Sequence, residues 1–207
     1  TIQWQRTLGG SSNDEGYGIA VDSSGNVYVG GFTSSQGPNN YNVLVVKYDT
    51  SGTIQWQRVL GGHNVDAILG NGIAVDSSGN VYITGKTAST TNGTPIAGST
   101  DVLIAKYNTS GTLQWQRILG GTSADDGYGI GLDSSGNVYI TAPVFSSGAG
   151  SEDLLIAKYN NSGALQWQRT LGTTSSDYGY GIAVDSSGNS YISGFTSSSG
   201  AGSNDFL

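Results

Sequence analysis

An all-β fold made of repeated four-stranded units is what this sequence predicts, and three observations carry the prediction. The first is a fourfold repeat. The stretch Gln-Trp-Gln-Arg recurs with its tryptophans at Trp4, Trp56, Trp115 and Trp167 and its arginines at Arg6, Arg58, Arg117 and Arg169, at spacings of 52, 59 and 52 residues. A period of this length marks a modular array. The second is composition. With 34 Gly in 207 residues and only 11% charged residues, the chain is too turn-rich for helices, and 36% hydrophobic residues in short regular runs is too well patterned for disorder. The third is a recurring turn, Asp-Ser-Ser-Gly-Asn, which begins at Asp22, Asp76, Asp133 and Asp185. Many short strands between Gly-rich turns define an all-β domain.

Each element follows from local pattern. Residues 1–6 predict a strand, because Ile2, Trp4 and Arg6 alternate with Gln3 and Gln5. Leu-Gly-Gly and a polar loop follow, then strands over Tyr17–Asp22 and Val27–Phe32, joined by the first Asp-Ser-Ser-Gly-Asn turn. The side chain of Asp accepts backbone N–H bonds in such turns, and Gly supplies the positive φ. A loop to Tyr41 leads into a strand over Asn42–Tyr48, and Asp49-Thr50-Ser51-Gly52 turns the chain into the next Gln-Trp-Gln-Arg strand. The same turn recurs at Asn108–Gly111 and Asn160–Gly163.

Two tight hairpins per unit give four antiparallel strands in about 52 residues, the size of a β-propeller blade. Blades fall at roughly 17–58, 71–117 and 128–169, with a fourth from 180 to 207 that lacks its outer strand. Residues 1–6 are an orphan strand of the missing kind. Placing them on the last blade closes a four-bladed ring and removes two exposed edges, making 1–207 a single domain. The alternative is a window from a longer array. Because the chain begins at Thr1 in mid-unit, it reads as a processed or trimmed product.

The pattern Gly-Ile-Ala-Val-Asp-x-x-Gly-Asn-x-Tyr-x-x-Gly-x-Thr, at 18–33 and 181–196, resembles the bacterial SBBP (seven-bladed β-propeller) repeats and, more distantly, NHL-type repeats. The Gln-Trp-Gln-Arg-x-Leu-Gly-Gly segment strengthens the resemblance, which covers nearly the whole chain. It implies a propeller and says little about activity, since propellers host many functions. It also implies a secreted, cell-surface or virion setting, and a seven-bladed family implies more units than four.

Charge narrows the function. A net charge of -7 and a pI near 4.3 argue against nucleic acid, whose phosphates require Lys and Arg. Seven of the eight basic residues occupy repeated positions: the four arginines, and Lys47, Lys106 and Lys158 before Tyr. There is no Cys for disulfides or thiolate metal sites. No apolar run of about 20 residues predicts membrane insertion, and no signal-peptide pattern is present.

In a propeller, alternate loops share a face. The Asp-Ser-Ser-Gly-Asn and Thr-Ser-Gly turns thus lie together and scarcely vary, whereas the opposite face collects loops that differ between units: 34–40, 88–100, 144–152 and 197–204. Loops on a rigid scaffold carry recognition, so this is the candidate binding face. Its acidic residues are Asp14, Glu15, Asp66, Asp125, Asp126 and Asp177, with Asp101, Asp153 and Asp205 at the ends of the variable loops. Carboxylates near a channel mouth suit Ca²⁺. Against that, such residues also cap turns and solubilise a Gly/Ser-rich surface, and the alternating acidic spacing of a calcium loop is absent.

The remaining repeated residues read as framework. Asp22, Asp76, Asp133 and Asp185 belong to turns. The four tryptophans fit packing between blades or over an edge better than a sugar platform, and the arginine after each is expected to pair with a carboxylate or stack on a ring. His63, the only histidine, stands where other units have Ser11, Thr122 or Thr173. No nucleophile–base pair is present, and no two carboxylates are singled out for glycoside hydrolysis. The sequons at Asn92, Asn108 and Asn160 are expected by chance in so Asn/Ser-rich a chain.

The sequence therefore predicts a non-enzymatic structural or adhesive propeller, extracellular or on a virion, that binds a protein or glycan partner through its variable acidic face and needs no cofactor. Two alternatives stand beside it. One is a repetitive subunit of a fibre, virion decoration or surface layer that self-assembles through blade edges; the other is a carbohydrate-active enzyme using acidic loop residues.

Overall fold

The computed structural model describes residues 1–37, 41–89, 96, 99–145, 152–197 and 204–206. These form four antiparallel sheets and, among the described residues, no helix. The first blade is β1 (Asp14–Val21), β2 (Val27–Thr33), β3 (Asn42–Tyr48) and β4 (Ile54–Leu60). The second has a broken inner strand, β5 (Asp66–Ala67) and β6 (Ile73–Val75), followed by β7 (Val81–Thr87), β8 (Asp101–Tyr107) and β9 (Leu113–Leu119). The third is β10 (Gly129–Leu132), β11 (Val138–Val144), β12 (Asp153–Tyr159) and β13 (Leu165–Leu171). The fourth comprises β14 (Asp177–Val184), β15 (Ser190–Thr196) and β16 (Asp205–Phe206). Strands pair in chain order within each sheet. The blades stand in a ring, giving a four-bladed β-propeller.

The core lies between blades. At each of the three interfaces between successive blades, the leading face of one blade packs on the trailing face of the blade that follows. Tyr28, Val43 and Val45 of the first blade meet Ile73, Val81, Ile83 and Leu103 of the second. Tyr82, Val102 and Ile104 of the second meet Ile130, Val138, Ile140 and Leu155 of the third. A central strand is thus covered on both sides and reads as a continuous apolar run rather than an alternating one. In β3, Asn-Val-Leu-Val-Val-Lys-Tyr, only Lys47 is not buried.

Glycine lets the sheets approach this closely. A Cβ on Gly30 would lie 2.7 Å from Ile68 Cδ1 of the next blade, and one on Gly18 would lie 2.8 Å from Ile73 Cγ2. Ile68 belongs to the Ile-Leu-Gly-Asn stretch that stands where the first blade has Gly16-Tyr17 and, two residues longer, splits the inner strand of the second blade into β5 and β6. In β1 and β14 the same region is continuous, with one register shift at Gly16/Gly18 and at Gly179/Gly181.

Two expectations need correction. Residues 1–6 are not a strand: they belong to no ladder among the described residues. Side chains hold them instead. Trp4 Nε1 donates to Thr50 O (3.1 Å) and Arg6 Nε to Gly52 O (2.9 Å), while the Trp4 ring lies 5.7 Å from that of Tyr48. The segment therefore grips the outer side of the first blade; no ladder joins it to β16 among the described residues. The inner strand of the first blade also starts earlier than the apolar pattern suggests, at Asp14 rather than Tyr17, because Asp14 and Glu15 pair with Thr33 and Phe32 before the register shift.

Candidate functional site

The two loop faces differ in chemistry. On the invariant face, each Asp-Ser-Ser-Gly-Asn turn is closed by its own carboxylate. Asp76 Oδ1 accepts from the backbone N–H of Ser78 and Asn80 (both 2.9 Å), and its Oδ2 accepts from Asn80 Nδ2 (2.8 Å) and the Tyr82 hydroxyl (3.1 Å). The same four bonds recur around Asp22, Asp133 and Asp185. The repeated lysines finish the arrangement: Lys47, Lys106 and Lys158 stand 5.2, 5.1 and 4.7 Å above the rings of Tyr28, Tyr82 and Tyr139, and Lys158 Nζ is 3.7 Å from Asp133.

Burial raises the carboxyl pKa at Asp22, Asp76 and Asp133, but the bonds donated by Asn, Tyr and backbone N–H outweigh it and hold each below the ordinary 3.8. At Asp185 the bonds from Asn189 lead, with the same result. A carboxylate with a depressed folded pKa stabilises the fold above its unfolded value, and that contribution is lost as pH falls through the folded value. The melting temperature is therefore expected to hold from neutral pH to about pH 5 and to fall steadily below about pH 4. Asp76→Asn should lower the neutral-pH value and shrink the acid-dependent drop. A drop of unchanged size in that variant would show that other groups cause it.

Tryptophan–arginine pairs fasten the first blade to the second and the second to the third. Trp56 Nε1 donates to Thr109 O (3.0 Å), and Arg58 donates to Gly111 O (2.6 Å) and Ser110 O (3.0 Å). Trp115 and Arg117 grip Asn161 O and Gly163 O in the same way. The turn glycine lies flat under the indole: a Cβ on Gly111 would be 2.8 Å from Trp56 Cδ2, and Gly111 has φ 76°. Of the two expected partners, a carboxylate or a neighbouring ring, no carboxylate forms an ion pair with these arginines among the described residues. The guanidinium groups bond to backbone carbonyls, and Arg58 and Arg117 each stand 5.7 Å over their own tryptophan ring. Arg169 bonds only Gln168 O among the bonds of the described residues.

On the variable face, the six nominated carboxylates are not gathered into one site. Asp14, Asp66, Asp125 and Asp177 are latches for the loop after Leu-Gly. Each accepts the backbone N–H four residues before it, at Gly10, Gly62, Gly121 and Thr173 (2.7 to 3.0 Å). Asp14 also accepts from the Thr33 and Ser35 hydroxyls, and Asp66 from those of Thr87 and Ser89. Asp125 accepts the Phe145 backbone N–H (3.0 Å). Asp66 and Asp125 are fully buried and Asp177 nearly so. The hydroxyl bonds of Thr33 and Ser35 lower the Asp14 pKa. Only Glu15 and Asp126 stand apart from this scheme: Glu15 is exposed and accepts from the Tyr17 hydroxyl (2.8 Å), while Asp126 faces Lys86 at 3.8 Å and accepts from Thr100 (3.0 Å). Asp101 and Asp153 are buried at the starts of β8 and β12.

Among the described residues, no three His, Cys, Asp or Glu side chains come together as a metal site. His63 is exposed in the loop before β5. Much of the variable ranges 34–40, 88–100, 144–152 and 197–204, and the sequon at Asn92, lie outside the described residues.

One feature escapes sequence reading. An apolar groove of about 400 Å³ lies on the trailing face of the first blade, lined by Trp4, Leu8, Ile19, Val29, Leu44 and Tyr48 among others. A repeated apolar position looks the same in every unit; only the fold reveals which copy lacks a neighbour.

Blades of this kind, with side-chain-closed turns and interlocking faces, define a β-propeller repeat protein. The chain belongs to the SBBP β-propeller repeat family, whose model matches residues 3–37, 55–95, 114–142 and 166–200. Curated relatives include the regulatory protein FlaEY of Caulobacter vibrioides, 29% identical over 125 residues, which covers 54% of this chain and 13% of that protein. The WD repeat-containing protein L264 of Acanthamoeba polyphaga mimivirus is 25% identical over 247 residues, covering 89% of this chain and 18% of that one. The chain thus spans less than a fifth of the length of either relative. Among the described residues, no helix is long and apolar enough to cross a membrane.

Proposed function

We propose that this propeller is a non-enzymatic scaffold that presents the loops of its variable face to a protein or glycan partner, in an extracellular or virion-surface setting. The observation that carries this reading is how completely the repeated polar groups are used by the fold. Turn aspartates, latch aspartates, lysines and arginines each serve their own blade or the next, so discrimination falls to the segments that differ between units. The names of the two relatives, one regulatory and one a WD repeat protein, agree with a scaffold role.

Binding to a glycan array and to surface extracts of a host cell would be compared between the native chain and a variant whose 90–98 and 146–151 segments are replaced by Gly/Ser stretches of equal length. Loss of binding with an unchanged melting temperature is the expected result. Binding that survives the replacement would move the partner site elsewhere, and turnover of any polysaccharide offered would overturn the non-enzymatic reading.

A further inference from the structure

We propose that a strip of tyrosines on the innermost strands, at their variable-face end, binds a neutral, hydroxyl-rich glycan chain. This rests on the recognition role proposed above for that face, and adds the class of ligand and the residues in contact with it.

One backbone device, used three times, makes the strip. In the first blade Gly16 pairs with Gly31 and Gly18 with Gly30, so Tyr17 is an extra residue outside the ladder. In the fourth, Gly179 pairs with Gly194 and Gly181 with Ser193, which leaves Tyr180 in the same place. In the third, Asp125 bridges Val144 and Gly129 pairs with Thr141, the same one-residue excess over the stretch that ends in Tyr128. A bulge of this kind re-aims a side chain. Gly127 and Gly129 are buried between blades, while Tyr128 between them is only half-buried.

The rings run from blade to blade. Tyr128 of the third lies against Gly70 of the second, where a Cβ would be 3.3 Å from Tyr128 Cδ1. The same ring meets that of Tyr180 in the fourth at 5.5 Å, with 77° between their planes. Tyr180 is in turn 5.8 Å from Tyr178, which stacks on Phe195 at 4.8 Å. Because Tyr128 has a blade on either side and is still half-buried, its exposure belongs to the inner edge of the blades and not to an open seam.

The groups beside the rings select the ligand. Lys86 is the one basic residue outside the repeated framework. It stands in β7 where the first and fourth blades have Phe32 and Phe195. Its Nζ is 3.8 Å from Asp126 Oδ2, and Asp126 Oδ1 accepts from the Thr100 hydroxyl (3.0 Å). The two side chains are 27% and 25% exposed, open to a solute. Burial, and then the Asp126 charge, raise the Tyr128 pKa, so that carboxylate lies within electrostatic reach of the ring hydroxyl. An ammonium beside a carboxylate offers a donor and an acceptor together, and a pair of sugar hydroxyls can satisfy both. The tyrosine faces suit the apolar C–H side of a sugar ring, and their hydroxyls its wet rim. A polyanion would meet a chain of net charge -7, and a cation would meet Lys86. Neutral hydroxyls suffer neither penalty. The strip crosses the second, third and fourth blades, which suits a chain of sugars rather than one.

Affinity electrophoresis of the full chain tests this, in gels holding hydroxyethylcellulose, galactomannan or soluble starch, with the polyanion alginate beside them. Retardation by at least one neutral polymer and not by alginate is expected. Tyr128→Ala should weaken that binding about tenfold, on the scale of a lost aromatic contact. Asp126→Asn should weaken it by about as much; it leaves the packing of Tyr128 intact and so reads the site even where Tyr128→Ala is unstable. No retardation by any neutral polymer, or retardation by alginate alone, overturns the proposal. Displacement of the polymer by tetramethylammonium chloride also overturns it, in favour of a cationic ligand held by the rings. Native binding in both point variants, with loss in the loop-replacement variant above, would overturn the strip and leave the loop reading standing. Loss in both point variants, with binding kept after loop replacement, supports the strip and removes the loops from the contact.

Discussion

Trp56→Ala should cost about 4 kcal/mol of unfolding free energy, within the range for emptying a buried aromatic site, and Trp167→Ala less than half as much. The two residues share sequence context and differ in what surrounds them. Trp56 is 8% exposed, donates to Thr109 O, lies flat on Gly111 and sits between Tyr28 and Tyr107 at ring separations of 6.1 and 6.5 Å. Trp167 is half-buried, with one aromatic neighbour, Tyr139, at 6.2 Å. Urea unfolding of both variants measures the difference. Equal losses would mean that the downstream turn contributes nothing and that the tryptophan acts only within its own sheet.

The second large effect is expected at Asp66. Removing its carboxylate in Asp66→Ala strips the acceptor from the Thr87 and Ser89 hydroxyls and from the Gly62 N–H in a fully buried place. Leaving such donors unpaired should cost about 3 kcal/mol. Asp126→Ala breaks a part-exposed pair with Lys86 and should cost less than about 1 kcal/mol. The contrast separates two roles that sequence reasoning gave to one group of residues. If Asp66→Ala melts like the wild type yet loses a ligand, it is a binding residue and the latch is incidental.

The fold was legible where one pattern has one physical meaning. The strand Asn42–Tyr48 matches its expected limits because an apolar run between two turn signals admits few other readings in an all-β chain. The Asp-Ser-Ser-Gly-Asn turns were equally plain, since Asp and Gly each have a specific task there. Residues 1–6 misled because alternation reports which side chains face inward, while a strand also requires a neighbouring backbone. The acidic loop residues admitted two readings for a related reason: a carboxylate before a strand reads the same whether it points to solvent or back into its own loop. A signal was present. Thr-x-Ser closes the next strand in three units, at Thr33-Ser34-Ser35, Thr87-Ala88-Ser89 and Thr196-Ser197-Ser198, and is missing in the third, where Val144-Phe145-Ser146 stands instead. Hydroxyls that recur about 20 residues after an aspartate are what a buried carboxylate uses, as the bonds to Asp14 and Asp66 show.

The grip of Trp56 and Arg58 on the 108–111 turn means that the first and second blades are connected twice, once by the chain through residues 61–65 and once by side chains reaching across. The same holds for the second and third blades through Trp115 and Arg117. A proteolytic nick in either linking loop would sever the covalent connection and leave the other in place, so the clipped protein should travel as one particle until denaturant releases the indoles. The joints of this propeller are dovetails, and the peptide chain between them is the more dispensable half.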